Sequence, residues 1–112
     1  MSAVALAPLA GLIVAGLRQR PDLAPQIDAA VQLLRAGAIE RCELDADGAY
    51  LTVLASGRGY LAWVAPDGRV RACRRCWPSY PMPASMWCPH TIAARLLQVA
   101  AQRDQARGQE AA

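Results

Sequence analysis

Between residues 73 and 90 the chain reads Cys73-Arg-Arg-Cys76, eleven further residues, then Cys88-Pro-His90. Four metal-seeking side chains thus fall within eighteen residues, in the order Cys, Cys, Cys, His. Zn²⁺ takes four such ligands at the corners of a tetrahedron, and three thiolates with one imidazole make a standard structural set. The first pair is spaced to grip one ion from a single turn. The stretch between the pairs, Trp77 to Trp87, holds Pro78, Pro81 and Pro83 and shows no regular period. Such a loop needs a pin, and a metal supplies one. The reading therefore assigns Cys73, Cys76, Cys88 and His90 as ligands of a structural Zn²⁺.

The second pair with the residues after it, Cys88-Pro-His90-Thr-Ile-Ala-Ala-Arg-Leu-Leu97, resembles the SWIM zinc finger family in spacing and in the helix it opens. That family's pattern is Cys-x-Cys, a variable loop, then Cys-x-His running into a helix. Residues 50–72 are similar to the family's preceding hairpin, and the resemblance spans residues 38–106. The first pair departs from the pattern by one extra residue, Cys-x-x-Cys in place of Cys-x-Cys. Family members occur with helicase-like ATPases, transposases, kinases and recombination accessory proteins. The resemblance implies a zinc-held module that binds nucleic acid or protein and does not catalyse.

Other chemistries fit the residues less well. A catalytic zinc keeps a position open for water, whereas four good ligands here fill the shell. Residues 68–100 contain no carboxylate to act as general base. Redox Cys-x-x-Cys pairs open a helix after a strand, and the prolines after Cys76 argue against that. His90 is the one histidine, so no Ser-His-Asp set exists, and there is no glycine-rich phosphate loop. The lone upstream Cys42, alternating with Leu44, reads as a buried small hydrophobe; its alternative is to replace His90 as fourth ligand. These cysteines suit a reducing, cytoplasmic setting better than a disulfide framework.

The net charge of +3 is weak, but its distribution is not even. Residues 68–100 carry Arg69, Arg71, Arg74, Arg75 and Arg95 with no acid, while the rest holds seven arginines against nine carboxylates. Two readings stay open for the arginines. They offset the negative charge of a three-thiolate zinc site, or their planar forks grip phosphate. Likewise Trp77, Tyr80 and Trp87 either pack around the metal or offer stacking faces to unpaired bases.

The remainder of the chain predicts an α+β fold. Residues 1–17 form an uncharged apolar run broken by Pro8, Gly11 and Gly16. The run is shorter than the ~20 residues of a spanning helix, and reads as a buried helix or partner-facing segment, with a targeting segment as the alternative. Asp22 is placed as an N-cap. Residues 24–36 show Ile27, Val31 and Leu34 at helical spacing, and Gly37 marks the stop. The period then changes to 2. Strands are predicted at 38–45, 49–55, 60–65 and 69–73, joined by turns at Asp45-Ala-Asp-Gly48, Ser56-Gly-Arg-Gly59 and Pro66-Asp-Gly68. Alternation in the last strand puts Val70 and Ala72 on one face and Arg69, Arg71 and Cys73 on the other. A final helix begins near His90, with Pro89 in its first turn, and runs to about residue 103–107.

The predicted architecture is thus a small antiparallel β-meander with N-terminal helices and a zinc-clipped loop running into a C-terminal helix. The expected organisation is an N-terminal helical segment (1–37), a zinc-binding domain (38–106) and a tail (107–112). The expected function is a zinc-dependent, non-enzymatic module serving a larger DNA- or RNA-processing complex. Arg69, Arg71, Arg74, Arg75, Arg95, Trp77 and Trp87 are the candidate nucleic-acid contacts, with DNA preferred over RNA. The rival is a protein-interaction adaptor with a purely structural zinc, and a thiol redox protein stands further off. No small-molecule substrate and no membrane partner are expected.

Overall fold

The structure, a computed structural model, describes residues 9–55, 57–77, 83 and 86–111, with the side chains of 55 and 107–111 left out. The fold is α+β. Helix α1 spans Ala10–Gln19, a 3-10 turn Pro21–Leu23 comes next, and α2 spans Ala24–Arg35. Four strands come after it: β1 Ile39–Asp45, β2 Gly48–Ala55, β3 Arg58–Val64 and β4 Val70–Cys73. Helix α3, Pro89–Ala111, closes the chain. The strands form one antiparallel sheet in the order β1-β2-β3-β4, the predicted meander. Helix α3 continues past the expected end near 103–107.

Period-2 alternation builds the core. Leu51 and Val53 of β2 and Ala62 and Val64 of β3 are buried on one sheet face. Ile27, Ala30 and Leu34 of α2 and Ile92, Ala93, Ala94 and Leu96 of α3 join them in a single cluster. Helices α2 and α3 therefore cover the same face of the sheet. Small residues line the contact, as the alanine-rich sequence requires, and let the helices approach closely.

Local chemistry explains the element ends. Gly37 takes φ 69, and the backbone bonds Gly37 N–H to Leu34 O and Ala38 N–H to Leu33 O close α2 in a Schellman motif. Gly48, at φ 124, sits where an added Cβ would run into the Val64 carbonyl, so β2 and β3 meet closely at this point. Asp22 is not the N-cap of α2. That position is Leu23, with no side-chain cap, because Pro21 opens a separate 3-10 turn and Arg20 takes the Asp22 carboxylate at 2.9 Å.

Two other expectations change. No residue of α1 is fully buried; Leu12, Ile13 and Leu17 pack partly against the core while Val14 is 46% exposed. Only Leu9, just before it, is buried. The first eight residues of the apolar run lie outside the described residues. Cys42 is exposed rather than buried. Its strand is the sheet edge, and residues 40–46 are exposed throughout, because α3 packs on β2 and β3. Among the described residues no helix is long and apolar enough to cross a membrane.

Candidate metal centre

Strand β4 delivers Cys73 to the site, but not on the predicted face. The β3–β4 register runs Ala62 with Cys73, Trp63 with Ala72, then Val64 with Val70, which leaves Arg71 as an extra residue in a bulge. A bulge resets alternation. Val70 and Cys73 consequently share the core face, and both are 1% exposed. Arg71 goes to the opposite side, where its guanidinium lies 5.2 Å over the Trp63 ring. Arg71, the one arginine of β4, does not share the ligand's face.

After Cys73 the chain turns tightly. The Cys76 N–H donates to Cys73 Sγ at 3.5 Å, and the Trp77 N–H donates to Cys73 O at 2.8 Å. The second half of the site is the start of α3, with Cys88 in the N-cap place and Pro89, His90 and Thr91 as its first three residues. The Thr91 N–H donates to Cys88 Sγ at 3.5 Å, so sulfur does the work of a capping oxygen. In return the Thr91 hydroxyl accepts the Cys88 N–H at 3.1 Å. This is a capping box with Cys at its head and Thr three residues later. The Ile92 N–H to Cys88 O bond, 3.0 Å, starts the helix.

These two pieces bring the four predicted side chains together. One ligand atom from each of Cys73, Cys76, Cys88 and His90 lies within 4.8 Å of all the others. The His90 Nδ1 is 3.6 Å from Cys73 Sγ, 3.2 Å from Cys76 Sγ and 3.8 Å from Cys88 Sγ. Zinc bonded at about 2.3 Å to sulfur and about 2.0–2.1 Å to nitrogen sets a tetrahedral S···N separation of about 3.6 Å. The donor set and its spacing therefore fit a zinc ion, with Nδ1 as the imidazole ligand. All four cysteines are free thiols. Cys42 stands outside the group, so His90 and not Cys42 is the fourth member.

The electrostatics suit thiolate ligands unevenly. Cys88 is held down to about 3, first by the Cys73 thiol donating to it, then by His90 and by the Thr91 hydroxyl and N–H. Cys73 is held well above its ordinary value, first by that same hydrogen bond and then by burial. Cys76 is raised chiefly by burial and by the charge on Cys88, and Arg75 offsets this in part. Cys73, Cys76, Cys88 and His90 would hold a divalent cation here, and its charge would stand where the shared proton now stabilises the Cys88 thiolate.

An apolar shell surrounds the sulfur atoms. Val70, Cys73 and Cys88 form a second buried cluster against which Trp77 and Trp87 pack, and Trp87 reaches the main core as well. Both tryptophans are half-buried around the site. Tyr80 lies outside the described residues. Arg69 is paired with Asp67 at 3.4 Å. Arg95 donates to Gln98 Oε1 at 2.7 Å, and Gln98 Nε2 donates to Ala65 O at 2.9 Å. An added Cβ on Gly68 would meet the Arg95 guanidinium at 2.7 Å. Arg95 therefore braces the β3–β4 turn. Arg71, Arg74 and Arg75 are exposed, and Arg75 lies 5.4 Å over the Tyr60 ring.

Sequence reasoning missed Thr91 and the Tyr50–Trp63 pair. Thr91 was marked by its place three residues after the N-cap. Tyr50 and Trp63 were marked by strand alternation, which sets them opposite Leu51 and Ala62. No family model, no curated protein and no solved structure matches the chain.

Proposed function

We propose that the protein is a zinc-held, non-enzymatic nucleic-acid-binding module, of the kind that the resemblance to SWIM zinc fingers implies. The observation that carries this reading is the exposed arginine set Arg71, Arg74 and Arg75 beside a closed Cys3His group. A shell of four protein ligands leaves no position for substrate, which supports a structural metal. When bound, the ion supplies folding energy and locks β4 to α3. The chain's own residues do the recognition: guanidinium groups donate paired hydrogen bonds to phosphate. Phosphate contacts of this kind bind without regard to sequence and weaken steeply with salt.

The adaptor reading is favoured by one separate feature. A groove of about 410 Å³ among α1, α2 and α3 has Leu12, Ile13, Ile27, Trp87, Ile92 and Leu96 in its walls, with Arg20, Arg95 and Arg103 also lining it. A partner docked there is held by apolar burial and withstands salt.

The test is fluorescence anisotropy of the zinc-loaded protein with short single- and double-stranded oligonucleotides at low and moderate salt. Binding that falls steeply with salt, and is lost with Arg74→Ala and Arg75→Ala, supports the first reading. An absence of binding at low salt, with a protein partner retained at high salt, supports the adaptor.

A further inference from the structure

Among the described residues, the second face of the sheet packs into neither core cluster. Tyr50 and Trp63 are register partners on β2 and β3. Their rings stack with centroids 5.2 Å apart and an interplanar angle of 14°. Trp63 Nε1 donates to Asp47 O at 3.0 Å and fixes the indole. The β4 bulge extrudes Arg71 onto the same side, over Trp63. A column of two aromatic rings and one guanidinium thus crosses three strands. Leu54 and Leu61 add exposed apolar surface beside it, at 41% and 37%. Arg74 continues the register opposite Leu61, whose carbonyl accepts its backbone N–H at 2.9 Å.

Charge on this face is polarised. Arg71 and Arg74 line the β4 side, in a segment without a carboxylate. The acids lie on the β1 side, next to Tyr50: Glu43 is its register partner and is paired with Arg41 at 2.7 Å, Asp45 and Asp47 also act on the phenol, and the Glu40 carboxylate reaches across to Gly59. An occupant complementary to this surface needs planar apolar faces and negative charges spaced along one edge. Single-stranded nucleic acid has both. A duplex keeps its bases stacked inside and offers phosphate alone.

We propose that single-stranded nucleic acid crosses this sheet face, its bases stacking on Trp63 and Tyr50 and its phosphates held by Arg71 and Arg74. The inference rests on the nucleic-acid reading above and adds the surface and the strandedness. Arg71 plays two parts. It covers the Trp63 ring in the unbound protein and turns to phosphate when a base takes its place.

The experiment titrates the full, zinc-loaded chain with a labelled oligothymidylate of about fifteen nucleotides, a span within one small domain's reach, and with a duplex of the same length. The expected result is tighter binding of the single strand and quenching of tryptophan fluorescence. Trp63→Ala and Tyr50→Ala each weaken it roughly 5- to 150-fold, while Trp63→Phe keeps most of it. Arg103→Ala, on the helical side, leaves it unchanged. Zinc content and circular dichroism report whether each variant is folded. Folded Trp63→Ala and Tyr50→Ala proteins that bind like the parent overturn the inference. So does a duplex bound as tightly as the single strand, or a dimer that Trp63→Ala dissociates, since a second copy would then cover the face. A duplex bound at least as tightly as the single strand, with that binding lost in Arg74→Ala and Arg75→Ala, overturns this inference and leaves the nucleic-acid reading standing. Failure of both oligonucleotides to bind at low salt overturns both.

Discussion

The Thr91 hydroxyl accepts the Cys88 backbone N–H at 3.1 Å, while the Thr91 backbone N–H reaches Cys88 Sγ at 3.5 Å. One residue thus caps α3 and orients a ligand sulfur. Thr91→Val keeps the shape and removes the hydroxyl, which leaves the Cys88 N–H without its side-chain partner. Loss of an outer-shell partner costs about 10- to 100-fold in metal affinity. Competition with a chelating dye measures it, and an unchanged affinity would mean that Thr91 only fills space.

Zinc uptake should release about two protons at neutral pH. Cys73 and Cys76 are raised above their ordinary value of 9.0, so both carry protons at pH 7 in the metal-free protein. Cys88 is held down to about 3 and is already a thiolate. Metal binding must displace the first two protons, so affinity rises with pH and is lost as pH falls. Below neutrality the fall is about a hundredfold per pH unit. Calorimetry in buffers of different ionisation enthalpy counts the protons. A count of three would mean that Cys88 is protonated before zinc arrives, against the hydrogen bonds that hold its thiolate.

Gly48→Ala should destabilise the protein by about 2–4 kcal/mol. Gly48 holds φ 124, and a Cβ there meets the Val64 carbonyl and not a side chain that could swing away. Urea denaturation checks it. A midpoint matching the parent would show that β2 and β3 have room to part at this point.

Trp63→Ala should lower stability by about 1–2 kcal/mol. It removes a cross-strand aromatic pair and a cation–π contact, each worth about 1 kcal/mol or less. Zinc content should stay the same, because Trp63 faces away from the metal group. A variant that loses zinc would place Trp63 in the site's support.

Much of this was legible in the sequence because it rests on short-range signals. The Cys-x-x-Cys and Cys-x-His spacings named the four residues the fold brings together. Gly37 and Gly48 and the switch from period 3.6 to 2 placed the helices and strands. What was not legible depends on long-range register. Arg71 and Cys73 have the alternation of one strand face, and only the pairing of β4 with β3 creates the bulge that separates them. Cys42 has the pattern of a core residue, and only the sheet order reveals an uncovered edge. Arg69 lies in an acid-free stretch, yet Asp67, just before it, takes its charge. Trp77 and Trp87 sat in the expected loop, but the stacked aromatic pair is Tyr50 and Trp63, on the strands β2 and β3 that precede the motif.

The account turns on one zinc ion held by Cys73, Cys76, Cys88 and His90, and X-ray absorption at the zinc edge tests that most directly. The predicted first shell is three sulfur atoms at about 2.3 Å and one nitrogen at about 2.0–2.1 Å, with one zinc per chain and loss of the metal in Cys88→Ser. A shell of four sulfurs would bring in Cys42 and displace His90. A shell containing a water oxygen would make the site an open one. Either result would contradict a closed Cys3His centre.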